Sequence, residues 1–170
     1  MGTRGRPREA SHHSLFLQRL TSENVGFITN MLNCEARELH WLLPATVSAM
    51  HQRLLAEHGG LPGVREPGGL ESALARPRHL FAYGDPAPDL PALAAAYSGG
   101  LIRNHPFVDG NKRAGFTAAL TFLRLHGWTI DVTQDEAYAA TVSLTTRAMT
   151  DDDFAGWLRA HLTPRQPGPR

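Results

Sequence analysis

The chain has 170 residues, enough for one domain with its own hydrophobic core. Its 17 basic and 16 acidic residues leave a formal net charge of +1, which gives no electrostatic case for direct nucleic-acid binding. The single cysteine, Cys34, excludes a disulfide framework and a cysteine-rich zinc site, and the absence of a long apolar run argues against a membrane partner, so we expect a cytoplasmic protein.

The two ends of the chain show little regular patterning. Residues 1–40 begin with an Arg-, Gly- and His-rich stretch and continue with apolar residues in no clean period. We interpret them as a partly disordered N-terminal extension or as a translation start assigned too far upstream, with Met31 as an alternative start. Residues 163–170 contain three prolines and are predicted to be a disordered tail. The domain itself is predicted over residues 41–162.

Apolar residues recur at helical spacing from Trp41 onward. A first helix is predicted from Pro44 until the Gly59–Gly60 pair, since proline favours the first helical turn and glycine the end. A Gly- and Pro-rich connection then leads to a short helix at about residues 70–76. Residues 77–88, which are bounded by prolines, are predicted to form a loop or a flap.

Four further segments complete the pattern. Asp89 is predicted to cap a helix that ends before Pro106, and the most apolar helix, over residues 110–126, is expected to be the central buried element. One short extended piece follows at residues 128–132. Two capped helices follow it, one opening at Thr133 and one at Thr150. The sequence therefore predicts an all-α fold.

Residues 103–115, which read RNHPFVDGNKRAG, have the composition of a phosphate site. A helix that begins near Gly110 has unpaired N–H groups and partial positive charge at its first turn, where Lys112, the only lysine of the chain, and Arg113 add two cations. Asp109 is a candidate ligand for Mg²⁺, which is often held by one carboxylate, phosphate oxygens and water. His105 is a candidate general base for a substrate hydroxyl.

Each of these residues also has a purely structural explanation. His105 could cap a helix or lie at the surface, Asp109 could serve only as an N-cap, and the two cations could form a solvated first turn. For Arg103 and Asn104, helix C-capping is as reasonable as a role in the site. The combination of a base, an acid, a glycine and two cations at one helix start favours the phosphate site.

The segment HPFVDGNKR, residues 105–113, resembles the signature HxFx[D/E]GNxR of the Fic/Doc superfamily. The preceding GGLPGVREPGGLESALARP and the helix ending IRN are similar to its death-on-curing (Doc) branch, and the resemblance extends from Trp41 to Leu162. It implies a compact single-domain helical bundle with a central buried helix and a short flap. The resemblance also implies ATP and Mg²⁺ as cofactors.

The resemblance assigns a role to each residue of the motif. His105 would be the general base, Asp109 the Mg²⁺ ligand, and Gly110 the residue that keeps the anion cradle open. The remaining candidates would bind phosphate; they are Asn111, Lys112 and Arg113, with Asn104 as a weaker one. A flap around residues 80–83 would align a target peptide by strand addition, unless Phe81 simply packs on the core.

Two positions depart from the Fic adenylyltransferase pattern GNGRxxR. Lys112 replaces the second glycine and Phe116 stands in place of the second arginine. The pattern is then similar to Doc toxins of type II toxin–antitoxin systems, which implies a protein kinase that phosphorylates a threonine of elongation factor Tu and an antitoxin partner with a Phd-like tail. The alternatives are Fic-type AMP transfer and a non-catalytic interaction module.

Overall fold

The computed structural model describes residues 38–165, so the predictions for residues 1–37 and 166–170 lie outside the described part. The described part contains six helices and one two-stranded antiparallel sheet, which confirms the predicted all-α class. The helices are α1 (Pro44–His58), α2 (Pro67–Tyr83), α3 (Leu90–Asn104), α4 (Asn111–Leu125), α5 (Gln134–Thr145) and α6 (Asp151–Ala160), and the strands are β1 (Trp128–Ile130) and β2 (Leu162–Pro164). Over residues 38–165, no helix combines the length and the apolar character needed to cross a membrane.

Three of the six helix starts, those of α3, α5 and α6, follow from local capping chemistry. The carboxylate of Asp89 accepts a hydrogen bond from the N–H of Ala92 at 3.0 Å and so caps α3, as predicted. Thr133 and Glu136 form a reciprocal capping box at the start of α5, and a second capping box opens α6. Each box pairs backbone N–H groups that the helix itself leaves without partners.

The central helix of the bundle is α3, and the prediction that residues 110–126 would be the most buried helix is wrong. Every residue of α3 from Leu93 to Ile102 is buried, whereas α4 is amphipathic and exposes one face. The reason is the small side chains of α3, which let neighbouring helices approach closely. A Cβ added at Gly100 would lie 3.1 Å from the backbone oxygen of Ala73 in α2.

Helix α2 is longer than its sequence pattern indicated. The structure extends it to Tyr83 through Pro77, so the predicted loop or flap at residues 77–83 is helical. A proline inside a helix removes one backbone hydrogen bond. Tertiary contacts offset this loss: Pro77 is buried and the Phe81 ring packs edge-on against Trp41 at 5.7 Å.

Strands β1 and β2 pair antiparallel at the end of the domain. Trp128 is opposite Pro164 and Ile130 is opposite Leu162. The N–H of Arg165 also donates to the oxygen of Gly127 at 2.9 Å. The prediction of a disordered tail from Thr163 onward is therefore wrong for residues 163–165, because backbone hydrogen bonds hold them against β1 and Gly127.

Candidate active site

The motif forms a tight loop between the end of α3 and the start of α4. His105 ends α3 in the left-handed conformation, with φ 49° and ψ 50°. A residue before proline is disfavoured in the right-handed helical region, so Pro106 forces the chain out of the helix at this point. Gly110, with φ 77°, makes the second left-handed turn and serves as the N-cap of α4. A non-glycine residue rarely adopts this conformation, and such residues cluster at functional sites.

Two buried side chains hold the loop in shape. Phe107 is fully buried beneath it. The side-chain oxygen of Asn111 accepts from the N–H of Phe107 at 2.9 Å, and the amide nitrogen of Asn111 donates to the oxygen of Phe107 at 2.9 Å. The same nitrogen lies 2.9 Å from Nδ1 of His105. The predicted phosphate binder Asn111 therefore directs its side chain into the loop, and only its backbone remains for a ligand at the helix start.

These contacts define the hydrogen-bonding state of His105. Because Phe107 donates to one side of the Asn111 amide and accepts from the other, the orientation of the amide is determined. Its nitrogen then donates to Nδ1 of His105, which acts as acceptor. The neutral His105 ring consequently carries its hydrogen on Nε2 in this arrangement.

The motif opens into a cavity of about 610 Å³ between α1, α4 and α5. Its polar end is formed by the motif, with His105, Asp109, Gly110, Asn111, Lys112 and Arg113. Its apolar wall is formed by Leu54 of α1, Phe116 of α4, and Ala137, Tyr138 and Val142 of α5. A pocket with an apolar wall and a few convergent polar groups is the usual form of a small-molecule site.

The polar end of the cavity can bind a polyanion with a cation. No acidic residue lies in the first turn of α4, where Lys112 is exposed and Arg113 donates to the oxygen of Gly59 at 3.0 Å. Hydrogen bonds from the N–H groups of Gly110, at 2.6 Å, and of Leu61, at 3.4 Å, lower the pKa of Asp109. Asp109 is therefore ionised at neutral pH beside the helix start.

Arg103 and Asn104 do not reach this cavity. The guanidinium of Arg103 makes two hydrogen bonds to Asp151 of α6, at 2.7 and 2.6 Å. The amide of Asn104 donates to the oxygen of Gly69 at 3.0 Å and lines a separate depression with Arg76. Arg103 therefore links α3 to α6, and Asn104 links α3 to α2. Neither residue is among those that line the larger cavity.

An exposed loop, residues 59–66, runs beside the motif loop. Val64 pairs with Phe107 in an antiparallel bridge. The N–H of Arg65 donates to the oxygen of Pro106 at 2.7 Å, the N–H of Val108 donates to the oxygen of Gly63 at 3.0 Å, and the Arg65 guanidinium donates to the oxygen of His105 at 2.9 Å. The flap-like element next to the site is therefore this segment, while residues 80–83 lie in α2.

Sequence reasoning missed His51 of α1. Its ring is 3% exposed, stacks on Phe107 with centroids 3.8 Å apart, and places Nε2 2.7 Å from the oxygen of Asp109. Its position on the apolar stripe of α1 indicated burial, but no local pattern indicated that this stripe packs against the motif loop.

Comparison with known proteins covers the same region. The model of the Fic/DOC family matches residues 41–123. The chain is 38% identical over 112 residues to Toxin Doc of Mycolicibacterium smegmatis, an alignment that covers 65% of this chain and 86% of that protein. The chain belongs to the Fic/DOC family. This Fic/DOC protein is also 37% identical over 84 residues to Protein kinase doc of Escherichia phage P1, covering 49% of this chain and 66% of the phage protein.

The predicted resemblance to the Doc branch of the family is thus confirmed. The family match contains the whole motif and ends at residue 123, before α5. The polar end of the cavity therefore lies inside the matched region, while the wall that α5 contributes lies beyond it.

Proposed function

We propose that this Fic/DOC protein is the toxin of a type II toxin–antitoxin pair and acts in the cytoplasm. In this proposal it transfers the γ-phosphoryl group of ATP to a threonine of elongation factor Tu and so stops translation. Its similarity to proteins named Protein kinase doc and Toxin Doc supports the toxin and kinase assignments. An antitoxin with a Phd-like tail is the proposed partner.

The observation that carries the choice of kinase over adenylyltransferase is the side-chain composition of the cavity. Lys112 lines its polar end, and Phe116 occupies the next turn of α4 in place of an arginine. A terminal phosphate with two ionised oxygens is best matched by the N–H groups of the α4 start together with Lys112 and Arg113. Phe116 offers no charge for a second phosphate farther along the helix.

The residues present fit Mg²⁺ held mainly by the nucleotide. Asp109 is ionised, each of its two carboxylate oxygens accepts from one backbone N–H group, and residues 38–165 contain no group of three or more potential ligand side chains. Mg²⁺ commonly takes one protein carboxylate and completes its shell with phosphate oxygens and water. The ion, when bound, neutralises charge on the phosphates; Asp109 would hold it against the helix start.

His105 is the proposed proton acceptor. The threonine oxygen forms a bond to the γ-phosphorus, the bond from that phosphorus to the bridging oxygen of ADP breaks, and the threonine proton passes to the imidazole. In the observed arrangement Nδ1 of His105 accepts a hydrogen bond from Asn111, and Nε2 carries the hydrogen of the neutral ring. Once the ring has taken up the threonine proton, both nitrogens carry hydrogen. Nδ1 can then no longer accept, so its hydrogen bond with Asn111 must be released. The cost is about 1 kcal/mol for a neutral hydrogen bond, which is small beside the barrier of phosphoryl transfer.

The exposed loop 59–66 is the proposed docking edge for the target, with the bridge residue Val64 at its centre. Gly63 and Arg65 direct backbone groups toward the motif loop, so the N–H and C=O of Val64 point to the opposite side, as expected for alternate residues of a strand. Exposed apolar side chains accompany this edge; Leu61 is 66% and Val108 is 44% exposed. An extended peptide could add here as a strand, which brings its threonine close to His105.

The test is an incubation of the protein with Mg²⁺, purified elongation factor Tu and ATP labelled at either the α or the γ position. Transfer of the γ label alone, with the mass gain of one phosphate, is the expected result. Transfer of the α label, with the mass gain of one AMP, would overturn the kinase assignment and favour the adenylyltransferase. A protein carrying His105→Ala is the matched control and should transfer neither label. If the wild-type protein transfers neither label, elongation factor Tu is the wrong target or the protein is an interaction module.

A further inference from the structure

His51 contacts the motif loop from α1 and is not among the residues that line the cavity. It belongs to α1, 54 residues before His105, and is one of the few buried polar residues of the domain. A carbonyl oxygen only accepts hydrogen bonds, so the 2.7 Å contact with the oxygen of Asp109 means that Nε2 of His51 donates. The parallel stack on Phe107, with an interplanar angle of 8°, fixes the ring plane for this bond.

This hydrogen bond selects one orientation of the Asp109–Gly110 peptide. In a trans peptide the C=O and N–H groups point in opposite directions. With the oxygen of Asp109 directed at His51, the N–H of Gly110 points away from His51, to the side where it meets the Asp109 carboxylate at 2.6 Å. Gly110 itself lines the cavity.

Few other contacts restrain this peptide. Gly110 is the N-cap of α4, but it has no side chain and makes no side-chain capping bond. Glycine populates both signs of φ at little cost, so the peptide before it rotates more easily than a peptide before any other residue. The opposite orientation would direct the carbonyl oxygen, with its partial negative charge, to the side of the Asp109 carboxylate, a residue that lines the cavity.

We propose that His51 is a positioning residue for the phosphate cradle, holding the Asp109–Gly110 peptide with its carbonyl oxygen toward α1 and its N–H toward the Asp109 carboxylate. The proposal rests on the proposed function only in naming phosphate as the ligand. The orientation of the peptide is a property of the free protein. His51 acts through Asp109 and Gly110 and touches no reacting atom.

Two substitutions separate the hydrogen bond from the ring stack. His51→Phe keeps a flat ring against Phe107 but removes the donor, whereas His51→Gln keeps an N–H donor of similar reach but removes the stack. We expect His51→Phe to weaken binding of Mg²⁺–ATP by roughly ten- to a hundredfold, the range for one hydrogen bond to a charged group. We expect His51→Gln to restore most of the affinity. Isothermal titration calorimetry measures both.

A control distinguishes positioning from a general loss of stability. Val47, one turn earlier on α1, is fully buried but its side chain lies outside the motif contacts described above. Val47→Ala should lower the melting temperature without changing the affinity for Mg²⁺–ATP, when both are measured well below the melting transition. A purely structural role of His51 would make the His51→Phe and Val47→Ala proteins behave alike.

Crystals of the nucleotide-free His51→Phe protein provide a readout that does not depend on activity. The expected result is a rotated or mixed Asp109–Gly110 peptide, against a single orientation in the wild type. Retention of the wild-type orientation together with wild-type affinity would overturn the inference. If the wild type binds no Mg²⁺–ATP, the proposed function fails, and the peptide orientation in the two crystals still decides the role of His51.

Discussion

Truncation of Phe107 to alanine tests whether the motif loop is held by its buried anchor. The Phe107 ring is fully buried and stacks on His51 at 3.8 Å, and both backbone polar groups of the residue bond to the side chain of Asn111. Removing the ring leaves a cavity beneath the loop and deprives the His51 ring of its packing surface. The Asn111 amide that positions His105 loses its rigid frame at the same time.

The expected cost is about 3–5 kcal/mol, the usual range for truncation of a buried phenylalanine to alanine. For a chain of this size each kcal/mol lowers the melting temperature by about 2–4 °C, which predicts a fall of roughly 6–20 °C. Calorimetry or circular dichroism measures it. Phosphoryl transfer at a temperature where the variant is still folded should also fall, because the loop that carries His105 is loosened.

The neighbouring position is the matched control. Val108 belongs to the same loop but is 44% exposed, and Val108→Ala should change stability by no more than about 0.5 kcal/mol. A Phe107→Ala protein that melts within about 2 °C of the wild type would show that the ring is not a structural anchor. It would also remove the physical basis for the positioning of His105.

Four other outcomes are expected. His105→Ala should lower the rate of phosphoryl transfer by roughly 10²–10⁴ with little change in melting temperature, because the ring is exposed; full activity would contradict its role as base. Gly110→Ala should cost about 1–2 kcal/mol for its φ of 77°, plus the crowding of a Cβ 3.3 Å from Nε2 of His51. Gly127→Ala, at φ 85° with no atom within 4 Å of the added Cβ, should show the backbone cost alone in a thermal melt. Hydrogen bonds lower the pKa of Asp109, so the contribution of its carboxylate to stability and to Mg²⁺–ATP binding is fully present above the ordinary carboxyl pKa. This contribution should be lost only as the pH falls through the lowered pKa. A pH titration in which binding is lost well above that range because Asp109 takes up a proton would contradict this. A chain that starts at Glu38 should fold and melt close to the full-length protein, and an insoluble product would place residues 1–37 in the core.

The sequence by itself determined the helix starts and the chemistry of the motif. Asp89, Thr133 and Thr150 cap their helices as predicted, because a cap depends on a side chain and an N–H group only three residues away. The residues that form the polar end of the cavity could likewise be predicted from one short stretch of sequence. Residues 105–113 turn around one helix start, so their spacing alone brings His105, Asp109 and the two cations together.

Only the tertiary structure decided what depends on contacts between distant segments. The central position of α3 arises from its small residues, which let neighbouring helices approach it closely and bury it. Residues 77–83 remain helical despite Pro77 because Pro77 is buried in the bundle and Phe81 contacts Trp41 from a distant part of the chain. Residues 59–66 and His51 likewise contact the motif because α1 and its following loop fold against residues that come about 40 to 60 positions later in the chain. Such pairings are set by the packing of whole helices, and no single stretch of sequence records them.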